Sequence, residues 1–113
     1  MTQRVFIVQQ QHREEPVTGL LLPKYDFSTA KQYGQLVVLL GARCNAFNPE
    51  SVVPELRNKL ADYNDSDCLL LTGNPTLIGW ATAIAAKANG GKISVLQWER
   101  IRSGYSKITA ALW

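Results

Sequence analysis

Two short runs, "QLVVLLG" (35–41) and "CLLLT" (68–72), most constrain what this chain can fold into. Neither alternates apolar with polar residues, so neither suits a sheet with one wet face. Runs of this kind form strands covered on both faces, as in parallel sheets flanked by helices. A third run, "RVFIVQQ" (4–10), is β-branched and aromatic and reads as the first strand.

Helix patterns separate these strands. Asn48-Pro49-Glu50 reads as a helix start: a capping side chain, a proline in the first turn and an acid near the positive end of the helix dipole. Val53, Leu56, Leu60 and Tyr63 then share one face, so this helix is expected to run to about Tyr63. Pro54 is tolerated if the helix begins close to it. "LIGWATAIAAKAN" is rich in alanine, carries one charge at Lys87 and stops at Gly90-Gly91, which predicts a mostly buried helix. "KISVLQWE" (92–99) and "YSKITAALW" (105–113) read as two strands joined by the turn "RIRSG" (100–104). Nearer the N-terminus, "QHREEP" (11–16) reads as a polar loop and "VTGLLLP" (17–23) as a short strand or an apolar loop. A short helix over 28–34 is capped by Asp26 or Ser28 and ends at Gly34.

Strands alternating with helices predict one small α/β domain spanning 1–113, a Rossmann-like three-layer αβα arrangement. Its sheet has about five strands, mostly parallel, with an antiparallel C-terminal hairpin. The chain has 113 residues, 46% of them hydrophobic, enough for a single core. No apolar run approaches the ~18 residues that span a bilayer, so no membrane partner is expected. The start "MTQRVFIVQQQH" makes a poor signal peptide, and a cytoplasmic protein is expected. One His and two widely spaced Cys do not supply a zinc set; neither a metal nor a cofactor is expected.

In open parallel sheets ligands sit beyond the carboxyl ends of the strands. Here those ends carry Gln9, Gln10, Gln11 and His12, then Gly41, Arg43, Cys44 and Asn45, then Thr72, Gly73 and Asn74. The turn "TGNPT" joins a strand to a helix, and a helix N-terminus holds anions through free amides. Arg43, Thr72, Gly73, Asn74 and Thr76 are therefore the ligand-binding candidates. Against this, Pro75 lacks an N–H, no Lys lies in the turn, and neither G-x-x-x-x-G-K-[ST] nor G-x-G-x-x-G occurs. The competing reading makes Asn74 a cap, Pro75 the first helical residue and Gly73 a tight bend.

His12 and Cys44 are the catalytic candidates, as base and nucleophile. A lone His in "QQQHREE" reads equally as a solvated loop residue, and a lone Cys after a strand as packing. The chain leans away from being an enzyme. A second surface is "LQWERIRSGYSK", where Trp98, Arg100, Arg102, Tyr105 and Lys107 interleave rings with cations, as single-stranded nucleic-acid binders do. From Lys87 onward there are five basic residues against Glu99 alone, while Glu50 to Ala86 holds five acids against two bases. The alternative is a hairpin whose rings pack on the sheet and whose charges are merely solvated. A third feature is the terminal edge strand ending in Trp113, which offers unpaired backbone and an aromatic anchor.

The segments "KYDFSTAKQYGQLVVLL" and "NDSDCLLLTGNPTLIGWATAIAAKANGGKISVLQWERIRSGY" resemble a family of small proteins of unknown role from tailed bacteriophages, marine-type phages especially. The shared positions are Asp26, Gly34, Gly73, Asn74, Pro75, Gly79, Asn89, Gly90, Trp98 and Arg100. The resemblance implies a phage origin and the cytoplasm of an infected bacterium, and it carries no reaction. The expected role is a binding module that contacts a protein partner or a second copy of itself. Binding of a nucleotide or nucleic acid is the alternative, and a Cys/His enzyme a third.

Overall fold

A computed structural model of the chain describes residues 3–23 and 26–113. Five strands form one sheet in the order β4-β1-β5-β6-β7. They are β1 (Arg4–Gln9), β4 (Gln35–Leu40), β5 (Cys68–Leu70), β6 (Lys92–Glu99) and β7 (Gly104–Ala111). The first four run parallel, and β7 pairs antiparallel with β6 from Lys92↔Ala111 to Glu99↔Gly104. A separate two-stranded ribbon joins β2 (His12–Glu14) to β3 (Leu21–Pro23). The fold is the expected α/β arrangement with a mostly parallel sheet and an antiparallel hairpin at its edge.

The strand order decides where each connection lies. From β4 to β5, and from β5 to β6, the chain moves the same way across the sheet. Right-handed crossovers therefore put α1 (Pro49–Lys59) and α2 (Pro75–Ala88) on one face. The step from β1 to β4 moves the opposite way and carries a short 3-10 helix, η1 (Ser28–Tyr33), to the other face. Against the paired helices packs a large core containing Phe6, Val8, Leu39, Leu56, Leu69 and Leu77. Against η1 packs a smaller one of Val5, Ile7, Ala30, Cys68, Leu70 and Leu96.

Several local expectations change. "QLVVLLG" is β4, an edge strand: Leu39 and Leu40 are buried, whereas Val38 is partly exposed. Its apolar run therefore does not mark burial on both faces throughout. "HRE" within the expected loop 11–16 is β2, whose pairing is supplied by Leu21–Pro23. Helix α1 ends at Lys59 rather than near Tyr63, and the side chain of Asn48 makes no capping bond. Its carbonyl instead accepts from the N–H groups of Ser51 and Val52. Beyond α1, Tyr63 still reaches the core, where its hydroxyl donates to the Ser94 carbonyl at 3.3 Å. Asp67, fully buried, holds Arg4 at 2.8 Å and fastens the N-terminal end of β1.

Candidate functional site

The direction of chain progression reverses between β1 and β5, which makes their carboxyl ends the natural crevice of the sheet. This crevice holds the buried side chain of Gln9. Its Nε2 donates to the Gly41 carbonyl at 3.2 Å, and its Oε1 accepts the Asn74 N–H at 2.9 Å. Its own N–H donates to the Thr72 carbonyl at 3.1 Å. One amide thus ties the loops after β1, β4 and β5 together.

Within "TGNPT", Asn74 caps α2 by accepting the Thr76 N–H at 2.8 Å, and Pro75 begins the helix. Gly73 has a φ of 115°, and a side chain there would collide with Gln9. Its identity follows from that close approach. The Thr72 hydroxyl donates to Gln11 at 3.3 Å. The amides of Asn74 and Thr76 are thus engaged within the protein. Arg43 is exposed in the loop after β4 and, among the described residues, makes no hydrogen bond or ion pair to this turn.

His12 is exposed on the β2–β3 ribbon, while Cys44 packs half-buried against the helix-side core. No hydrogen bond joins them among the described residues. Burial pushes the Cys44 thiol up, and the Glu55 carboxylate adds to the shift, so the thiolate is disfavoured.

The hairpin residues divide. Trp98 and Tyr105 face each other across β6 and β7 as an edge-to-face pair, ring centres 5.0 Å apart. Arg100 and Arg102 are exposed in the turn, where Arg102 approaches Glu99 at 3.5 Å. Lys107 lies opposite Leu96 on the η1 side. The two rings line a hollow of ≈480 Å3 beyond the carboxyl ends of β5 and β6. Thr72 lines it as well. Asp26 and Phe27 close its far wall. A second hollow of ≈570 Å3 lies over β1 and β4, and Arg13 and Lys31 border it. Asp26, one of the two residues expected to cap η1, lies just before its N-cap Phe27, which makes no side-chain capping bond, and accepts the Ser28 N–H at 2.9 Å. Nothing local marks Phe27, Arg13 or Lys31, whose neighbours come from distant strands.

The edge strand completes the picture. The Leu112 N–H donates to the Gly91 carbonyl at 2.8 Å, so antiparallel alternation turns the backbone groups of Lys107, Thr109 and Ala111 away from β6. The Tyr33 hydroxyl takes the Tyr105 carbonyl at 2.6 Å and covers the start of that edge. Ile108 and Leu112 are about half exposed (49% and 50%). Trp113 is 76% exposed but is folded back: a Cβ on Gly91 would come within 2.8 Å of its ring.

The sequence model of one family, described as Phage Pam3 gp32-like protein, matches residues 3–112. The chain belongs to that family, in agreement with the phage resemblance read from its sequence. No curated protein and no solved structure matches it.

Proposed function

We propose that this member of the Phage Pam3 gp32-like family is a non-enzymatic binding module of the infected cell's cytoplasm, and that it pairs with a second copy through β7. One observation carries the reading: the outward backbone of Lys107, Thr109 and Ala111 has no backbone partner among the described residues, and it lies between exposed apolar side chains. An uncovered apolar edge is a template for another strand. A two-fold axis through Thr109 centres the open stretch. Antiparallel pairing then sets Lys107 opposite Ala111 of the second copy, which keeps the two lysines apart. The environment of Cys44 supports leaving catalysis out of the role.

Sedimentation equilibrium of the purified chain tests this. A dimer is expected at micromolar concentration. Thr109→Pro should convert it to a folded monomer, because the lost N–H points away from β6. A wild-type chain that stays monomeric at high concentration overturns self-pairing and leaves β7 to a different protein. A Thr109→Pro chain that stays dimeric moves the interface off this edge.

A further inference from the structure

The open face of the sheet carries chemistry that the edge strand does not use. The two hollows meet at Asp26 and Phe27, which line both. They flank the β1–β5 crevice, one over β5 and β6, the other over β1 and β4. Both hollows open on the η1 side of the sheet, where Leu70 and Leu96 line the first and Ile7 and Leu36 the second. Each hollow has the size of a small-molecule site.

We propose that the paired hollows bind a nucleoside phosphate, with the base in the first, the ribose at Asp26 and the phosphate at Arg13 and Lys31. Three features, in spatial order, match the three parts of such a ligand. The first hollow presents Trp98, 47% exposed and held in place by Tyr105 at an interplanar angle of 75°. A preset indole with an accessible surface stacks any base. At the junction, Asp26 is an acceptor-only group whose orientation is fixed by the Ser28 N–H. A carboxylate there repels phosphate but accepts hydrogen bonds from ribose hydroxyls, the role acidic residues take beside dinucleotides in doubly wound folds. In the second hollow, Arg13 comes from β2 and Lys31 from η1. Among the described residues neither is ion-paired to a carboxylate within 4.0 Å, and Lys31 lies near enough to Asp26 to add to the Ser28 N–H in lowering its pKa. A guanidinium fork and an ammonium from two separate elements suit a phosphate. An acidic peptide would bring its carboxylates past Asp26 and make no use of the indole. The Arg43 and "TGNPT" residues at the same end of the sheet, apart from Thr72, are not part of this site.

Calorimetric titration of the full chain with ADP and GDP is the test, with adenosine and inorganic phosphate as the partial ligands. One diphosphate at least should bind more tightly than either part. Trp98→Ala should weaken nucleotide and nucleoside alike, by about tenfold. Trp98→Phe should restore most of that loss, which separates stacking from a folding defect. Arg13→Ala with Lys31→Ala should weaken the diphosphate by about tenfold and leave adenosine unchanged. Asp26→Ala should erase the preference for ribose over 2′-deoxyribose. Thr109→Pro should leave all these affinities as they are, so the edge-strand reading and this one fail separately. The proposal is overturned by the absence of binding at millimolar ADP and GDP, or by nucleotide affinity that is indifferent to the Arg13 and Lys31 substitutions. Binding of oligonucleotides without binding of mononucleotides overturns it as well.

Discussion

The two faces of the sheet are built to different standards. Under α1 and α2 lies a closed layer in which Leu56, Leu60, Leu69 and Leu77 are fully buried. Under η1 the cover is six residues long, and Asp26 and Phe27 bridge two hollows instead of filling them. Both faces are apolar along the centres of β1 and β5, so the difference does not come from those strands. It comes from the connections: two right-handed helical crossovers share one face, and a short 3-10 turn with an extended approach serves the other. Stability is concentrated on the first face, and accessible rings and cations on the second.

Paired truncations measure that difference. Leu69→Ala, beneath the helices, should cost about 4 kcal/mol in urea unfolding, because a closed core does not collapse onto the gap. Leu96→Ala borders the first hollow and should cost about 2 kcal/mol, since water already reaches one side. Equal costs would mean that the η1 face is as well packed as the other and would break the comparison. Tyr33→Phe removes only the hydroxyl that holds the Tyr105 carbonyl, and should cost about 1 kcal/mol by the same measurement. It should also lengthen the open edge of β7 and strengthen any self-pairing.

Alkaline titration distinguishes the faces more finely. Burial pushes Tyr63, on the helix side, from 10.0 to about 12. Burial likewise pushes Cys68, on the η1 side, from 9.0 to about 11. Both groups hold their protons longer when folded. Their contributions are therefore complete below the unfolded values and are lost as pH rises through the folded ones. Urea midpoints followed from pH 8 to 12 should fall in wild type. Cys68→Ala should flatten the earlier part of that fall, and Tyr63→Phe the later part. A profile unchanged by either variant would remove both thiol and phenol as its source.

What the sequence disclosed follows the range of the forces involved. Helix α2 was legible because its signals are local: an Asn cap, a proline at the first position, alanines throughout and glycines at the end. The β6–β7 hairpin was legible for the same reason. β2 was not, because "HRE" has no strand character of its own and is ordered by Leu21–Pro23. The run in β4 is as apolar as that in β5, and only the strand order puts one at the edge and the other inside. Thr72 was singled out in one candidate surface, and Trp98 and Tyr105 together in another. Their meeting in one hollow with Asp26 and Phe27 depends on sheet order, which no local pattern encodes. Gln9 was visible as a strand-end residue, and the three loops it joins were not.

Strand β1 sits inside the sheet, between two strands that follow it in the chain. Both neighbours of β1 come later: β4 begins at Gln35 and β5 at Cys68. During synthesis "RVFIV" must therefore wait, apolar, for β4 to cover one edge and, until more than half of the chain exists, for β5 to cover the other. Such non-local parallel pairing is slow to form and leaves a sticky segment exposed in the meantime. The rate of folding should accordingly be set by capture of β1 between β4 and β5, and the nascent chain is most vulnerable to aggregation before residue 70 emerges.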